Sequence, residues 1–322
     1  MKNVCIVGYG AIGPIHGMAL EQTKQARLYG VCDIDPERRR LCREKYGAAE
    51  YADFDAVLAD RAVDSVHICT PHWLHYEMIQ KALAAGKDVV AEKPVTRTRQ
   101  EWTALKALED ADRVCVVLQN RLNPCIQKMW ELIQEGSLGS ARAFRAVLTW
   151  SRDRAYYGSG EWRGRWATEG GGLLINQAIH TLDLIGYLLG DIRKVRTDMC
   201  NHTLEGVIEV EDTLAAHLEL ESGVRGVFFA TNGYSENPAP FLEISFEKGV
   251  ARYMDQKLWV NGCLAAEDAP AAAGKDYWGR GHERLIQRYY DEGEYFSIFD
   301  AENTMETMFS MYEDAYRGKG EL

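Results

Sequence analysis

Three short strings hold residue types at spacings suited to chemistry. The first is Gly8-Tyr9-Gly10-Ala11-Ile12-Gly13, which follows the apolar run Asn3 to Val7 and opens a helix-like stretch. A strand, a glycine turn and a helix start in that order make a phosphate cradle. Gly8 permits the tight turn, Gly10 lets the backbone approach a pyrophosphate, and Gly13 lets the helix pack against the strand. The backbone N–H groups of Ala11, Ile12 and Gly13 then face the phosphates. A second apolar run, Leu28 to Cys32, ends on Asp33, twenty residues past Gly13. A carboxylate there accepts hydrogen bonds from the adenosine ribose and disfavours a 2′-phosphate, so NAD is expected over NADP. Arg38, Arg39 and Arg40 follow on the next helix and soften that preference.

The second string is Glu92-Lys93-Pro94, directly after the strand-like run Lys87 to Ala91. At the carboxyl end of a parallel strand its lysine lies beside the nicotinamide half of a bound cofactor, and Pro94 fixes the turn, with a cis peptide as one option. The third is Gly170 to Asp183. Read as one helix, it puts Asn176, His180 and Asp183 at i, i+4 and i+7, three polar groups on one face of a leucine- and isoleucine-rich helix. Such a stripe lines a wet cavity or satisfies itself in the core; the aligned amide and carboxylate favour a working histidine.

Between these strings, Trp150 to Trp166 carries five aromatics and four arginines in seventeen residues. Tyr156, Trp162 and Trp166 suit the C–H faces of a sugar, and Arg163 or Arg165 a carboxylate or phosphate. The same residue types also make subunit interfaces, and both readings stand. His72 and His75 form an HxxH pair after Thr70-Pro71 with no cysteine or carboxylate to complete a metal set, so no metal is expected and the loop is assigned to the cofactor.

These strings need elements to hold them. Strand-like runs at 3–7, 27–32, 63–69, 87–91 and 114–118 alternate with helix-like stretches at 13–24, 36–46, 74–85 and 98–109. That rhythm predicts a doubly wound parallel sheet with ligands at the carboxyl ends of its strands. Asp53 is expected to cap a short helix and Gly86 to end one. Past residue 122 the pattern changes to a helix at 124–135, an alternating run from Ala141 to Thr149, a helix at 172–189 and strands at 213–220, 224–231, 241–247 and 250–254. This predicts a second, α+β domain over 123–322 with a mostly antiparallel sheet, one face open, and a final helix at 300–316 capped by Asp300 that returns to the first domain or to the sheet. The alanine-rich stretch 265–275 reads as a surface loop.

A chain of 322 residues suits two domains, 1–122 and 123–322. The formal charge of −11, without a basic block, argues against nucleic acid or an anionic membrane as partner. With neither a signal-like opening nor an unbroken apolar span, the expected location is the cytoplasm. Eight cysteines without metal spacing read as reduced thiols, largely buried.

Taken together, GYGAIG, Thr70-Pro71 with His75, the EKP string at 92–94, Gln119-Asn120-Arg121 with Pro124, and GGGLLINQAIH resemble the glucose-fructose oxidoreductase / inositol dehydrogenase / rhizopine-catabolism family of sugar dehydrogenases. The likeness spans nearly the whole chain, including the late stretch from Gly281. It implies a Rossmann domain followed by a substrate domain whose open sheet forms homodimers or homotetramers. It places Lys93 and His180 beside the carbon that loses hydride, with either as the formal base. It adds Glu92 and Asn120 to the cofactor set, and Arg121 and Asn176 to the substrate set. Inositol-dehydrogenase-like members carry aspartate where this chain has Asn176, which weakens an inositol assignment. Tyr156-Tyr157, Trp162-Arg163-Gly164 and Asn176-Gln177 look more like members acting on sugar derivatives, nucleotide-linked uronates included. Redox-neutral glycoside cleavage with NAD and a non-catalytic dinucleotide sensor are the alternatives; retention of both Lys93 and His180 counts against the sensor.

Overall fold

The computed structural model describes residues 1–271 and 279–317, which form two compact units: Met1–Gln119 with Gly281–Ala301, and Asn120–Arg280 with the rest of the chain. The first opens as expected with β1 (Lys2–Val7), α1 (Gly13–Leu20), β2 (Ala26–Cys32) and α2 (Pro36–Tyr46). It continues with β3 (Ala49–Tyr51), α3 (Phe54–Ala59), β4 (Ser65–Ile68), α4 (His72–Ala84), β5 (Asp88–Ala91), α5 (Arg99–Lys106) and β6 (Val114–Val116). All six strands are parallel, in the order β3-β2-β1-β4-β5-β6. The order reverses between β1 and β4, so the crevice at their carboxyl ends is the natural ligand position. Val4, Cys5, Ile6, Val66, Ile68, Val89 and Val90 are buried, as parallel strands covered on both faces require.

Local chemistry sets the helix ends. Asp35 accepts from Glu37 N–H with Pro36 at the first position, and Gly47 ends α2 in the left-handed region. Asp53 accepts from Ala56 N–H at 2.8 Å, the expected cap, and Gly86 adopts φ +71° just past α4.

The second unit contains α6 (Pro124–Gln134), β7 (Ala141–Thr149), α7 (Arg154–Gly158), α8 (Trp166–Glu169), α9 (Ile179–Leu189), β8 (Ile192–Cys200), β9 (Thr213–Leu220), β10 (Arg225–Thr231), β11 (Phe241–Phe246), β12 (Gly249–Met254), β13 (Lys257–Val260) and β14 (Cys263–Glu267). The eight strands order as β14-β13-β12-β11-β7-β10-β9-β8, antiparallel apart from the β7–β10 pair. The inner face (Phe144, Ala146, Leu148, Leu214, Ala216, Leu218, Phe228 and Ile244) is buried. On the outer face Val227 is 44% and Phe229 39% exposed, between ion-pair ladders Arg145–Glu243–Arg252 and Arg193–Glu219–Arg225.

The chain then returns to the first unit for 281–301, starting with α10 (Gly281–Gln287), and ends in the second with α11 (Glu302–Ala315) against β8. The expected single crossing at residue 122 is therefore replaced by a first crossing after Gln119 and a later return. Asp300 lies in the turn Phe299–Ala301 just ahead of α11, and its carboxylate accepts from the N–H and hydroxyl of Ser297. The alanine-rich stretch expected as a loop begins inside β14, and its part from 272 lies outside the described residues. The run Trp166–Leu189 is long and apolar enough to cross a membrane, but 72% of its apolar window is buried as core of the second unit. Six cysteines are buried and free; Cys200 and Cys263 are exposed.

Candidate active site

In the first unit the glycine turn follows β1. A Cβ on Gly8, at φ +91°, would lie 2.7 Å from the Cys69 carbonyl oxygen, and one on Gly13 2.5 Å from the Gly8 carbonyl oxygen, so the protein itself excludes side chains there. Gly10 differs: among the described residues beyond its chain neighbours, the one atom within 4 Å of such a Cβ is Arg38 Nη1, at 3.6 Å. The protein leaves that space open, and a pyrophosphate seated on the turn is what a side chain would block. Ile12 begins α1 without a side-chain cap, Pro14 has no N–H and Ile15 N–H already donates to the Ile12 carbonyl at 2.9 Å, so the Gly13 N–H is the helical donor an anion on the turn would take.

Asp33 sits at the end of β2, buried. Its Oδ2 accepts from Tyr9 N–H at 2.7 Å and its Oδ1 from Asp35 N–H at 2.9 Å, which ties the carboxylate to the glycine turn. The three arginines divide. Arg40 pairs with Glu37 and Glu44, and Arg39 with the Asp33 carbonyl and Glu50. Arg38 alone of the three comes near the Asp33 carboxylate, 3.7 Å from Oδ2.

Thr70 and Pro71 follow β4, and Glu92, Lys93 and Pro94 follow β5, with a cis bond between Lys93 and Pro94. Lys93 is half-buried. His75 is buried, its Nδ1 at 2.7 Å from the Pro94 carbonyl and its Nε2 at 2.7 Å from the Thr70 carbonyl. Its ring thus joins the two turns, which differs from the direct cofactor contact expected of it. Glu92 is likewise buried, facing His16 and His282 rather than solvent.

In the second unit the predicted straight helix is interrupted by a widened π turn at Leu174–Ala178 ahead of α9. The extra residue breaks the i, i+4, i+7 register. Asn176 and His180 remain half-buried, while Asp183 turns into the core. There it receives two hydrogen bonds from Arg121, at 2.9 and 2.6 Å, and one from Thr304 Oγ1 at 2.7 Å. Arg121, expected at the substrate, is thereby corrected to a buried partner of Asp183 stacked 4.9 Å over Tyr187. Asn120 Oδ1 is buried without a hydrogen-bond partner among the described residues, so it is an acceptor available to a ligand.

The aromatic loop separates into two groups. Trp166 packs edge-on against Tyr312 and Tyr316 and donates to the Glu209 carbonyl. Tyr156 and Trp162 instead sandwich Arg163, whose guanidinium carbon lies 4.7 and 4.6 Å from their ring centres. The Tyr156 hydroxyl accepts from Arg163 Nη1 at 2.8 Å and from Gln177 Nε2 at 3.0 Å, and Gln177 Oε1 accepts from Asn232.

Two buried acids escaped the sequence reading. Glu169 accepts from Gly164 N–H and from the Asn176 side-chain amide. Glu211 is fully buried and accepts from Gly172 N–H, Leu174 N–H and the Tyr312 hydroxyl. Burial pushes its carboxyl up to about 7 against those donors. The acidic residues of the aromatic loop and the strand entry were visible in the sequence, but not their pairing with the 172–176 turn.

Residues 2–120 match the model of the GFO/IDH/MocA oxidoreductase family with its NAD-binding Rossmann fold, and residues 126–252 match the GFO/IDH/MocA C-terminal domain. The chain is 26% identical over 282 residues to the levoglucosan dehydrogenase of Pseudarthrobacter phenanthrenivorans, covering 77% of this chain and 72% of that protein. It is 26% identical over 261 residues to the inositol 2-dehydrogenase of Rhizobium meliloti, covering 78% and 75%. The crystal structure of the WlbA dehydrogenase from Bordetella pertussis with NADH and UDP-GlcNAcA superposes with a TM-score of 0.85 at 26% identity, covering 98% of this chain and 96% of that one. The chain belongs to the GFO/IDH/MocA family and is an NAD-binding oxidoreductase of the dehydrogenase class.

Proposed function

We propose that the protein oxidises a hydroxyl of a cyclic sugar derivative to a ketone, with Lys93 and His180 acting at the reacting oxygen. The observation that carries this reading is Lys93 leaving the carboxyl end of β5, in the sheet whose reversal point bears the glycine turn. NAD supplies, when bound, the acceptor for the hydride. The hydroxyl must lose its proton as the hydride leaves, and an imidazole is suited to take it. An ammonium group at Lys93 would stabilise the developing alkoxide. Asn176, its amide nitrogen occupied by Glu169, would offer Oδ1 to a substrate hydroxyl or to His180.

For the cofactor, the Gly8–Gly13 turn would hold the pyrophosphate, Asp33 the adenosine ribose, and Asn120 a further polar group. Asp33→Ala should weaken NAD binding about 10- to 100-fold, the scale of hydrogen bonds to a charged acceptor, and should reduce the preference over NADP. Fluorescence titration with both nucleotides checks this; an unchanged ratio of affinities would remove Asp33 from the ribose.

The Tyr156–Arg163–Trp162 stack supports a substrate with a flat apolar face and a negative group, and the UDP-GlcNAcA bound by the WlbA dehydrogenase is of that class. NADH formation across free sugars, inositols, glycosides and nucleotide-linked uronates tests it. Turnover with the uronates supports the reading, and turnover confined to neutral free sugars would sink the anionic-substrate part. For the outer sheet face we propose a second copy of the chain as partner, on the strength of Val227 and Phe229 between two ion-pair ladders. Sedimentation equilibrium should give a dimer or tetramer; a monomer at micromolar concentration contradicts it.

A further inference from the structure

Within the second unit, the helix that carries His180 has its first N–H groups held from far along the chain. Leu173, where that helix begins, has no side chain able to cap it. Glu211, two residues ahead of β9, and Tyr312 of α11 supply the cap instead. Gly172 N–H donates to Glu211 Oε2 at 3.0 Å, Leu173 N–H to the Glu211 carbonyl at 3.0 Å, and Leu174 N–H to Glu211 Oε1 at 2.9 Å. Ile175 N–H donates to Tyr312 Oη at 3.2 Å, and that hydroxyl lies 2.8 Å from Glu211 Oε1. Asn176 N–H, the next in line, reaches the Gly172 carbonyl at 3.2 Å. The glycine string 170–172 resembles a phosphate cradle, but the N–H groups of Gly172 to Ile175 are all taken and leave none for an anion.

The fit is steric as well as polar. A Cβ on Gly172 would collide with the Glu211 carbonyl oxygen, and one on Gly171, at φ +154°, with the Tyr312 hydroxyl. Both partners are buried. The Tyr312 ring packs edge-on against Trp166, 5.7 Å between centres, so a fixed ring aims the hydroxyl. Glu169 completes the grip from another side by accepting from the Asn176 side-chain amide. The turn is thus held through its main chain by Glu211 and Tyr312, and through one side chain by Glu169.

We propose that Tyr312 and Glu211 are positioning residues of the active site, which hold the π turn in place and through it set the aim of Asn176 relative to His180. This rests on the reading that His180 works at the reacting oxygen. The link between cap and histidine is a continuous helix: the held residues run directly into the turn Leu174–Ala178 and then into α9, whose second residue is His180. A π turn holds one residue more than an α turn, so its loss or migration would rotate Asn176 relative to His180 by about 100°. Released N–H groups at 172–175 would permit that rewinding. Four hydrogen bonds to buried partners oppose it.

Tyr312→Phe tests this, because it keeps the ring and its contact with Trp166 and removes only the hydroxyl. Glu211→Gln sets an amide nitrogen against a backbone N–H and serves as the second variant if Tyr312→Phe does not fold. Either change costs stability whatever the role of the cap, so the deciding readouts are taken on folded protein. The full chain, isotope-labelled at histidine Cε1 and saturated with NAD, gives one NMR resonance for each of its eight histidines. That of His180 is identified by its loss in His180→Ala. In Tyr312→Phe the His180 resonance should move by more than its linewidth, or double, while that of His217 in the middle of β9 stays in place. A His180 resonance that coincides with the wild type overturns the proposal. So does one that moves together with His217, since that reports a general loosening of the unit. On the first sugar that yields NADH, kcat should fall about tenfold while KM and the Kd for NAD stay within about twofold, the pattern of a displaced group and not of a lost binding contact. An unchanged kcat beside a displaced His180 also overturns the proposal. Full turnover in His180→Ala would instead remove the catalytic reading and leave the hold of Tyr312 on the turn intact.

Discussion

Lys93→Ala should lower turnover at least about a hundredfold while NAD affinity stays within a few-fold. The size follows from losing a positioned charge at an oxygen that becomes negative during hydride loss. The sparing of affinity follows from the cradle, which is built on the ends of β1 and β2 and not on β5. His180→Ala should cost a similar factor. If both side chains serve one oxygen, the double variant should lose little more than either single one, because groups that act as a unit are not additive. Steady-state kinetics on the first substrate found decides this. Independent, multiplying losses would separate the two residues.

The second large effect concerns stability. Glu211 is a buried carboxyl raised from 4.5 to about 7, with burial as the main cause. Between those values the folded protein holds a proton that the unfolded chain has shed, so this group's contribution is fully present below pH 4.5 and is lost as pH rises through about 7. A shift of that size corresponds to about 3 kcal/mol. Glutamine does not titrate, and whichever oxygen its amide nitrogen replaces then faces a backbone N–H, of Leu174 or Gly172, a cost that does not vary with pH. Glu211→Gln should therefore gain about 3 kcal/mol on the wild type between the acidic and alkaline ends of that range, measured by urea unfolding of both proteins across pH. A difference that does not change with pH would mean that Glu211 titrates normally.

The first unit was legible because its signals are local. The glycine turn, the apolar runs and the Asp53 and Gly86 boundaries each depend on neighbouring residues. Strand β3 was missed because Ala49–Tyr51 is short and lacks a β-branched residue, and β8 because its outward positions carry arginine and lysine, as an edge strand's do. The π turn was hidden by apolar spacing that reads equally well as a straight helix. Arg121 with Asp183, Asn176 with Glu169, and the Glu211 cradle join residues that only the folded chain brings together. The return of 281–301 to the first unit was illegible for the same reason: Tyr290 and His282 gain their meaning from His67 and Glu92, more than 180 positions away.

The central claim is that a sugar hydroxyl becomes a ketone as its hydride reduces NAD. The most direct measurement counts NADH and new carbonyl groups together, in wild type and in Lys93→Ala, on the substrate that first responds. The account predicts one NADH and one ketone for each sugar consumed, both lost in the variant. Sugar consumed with cleavage products and no accumulated NADH would contradict it.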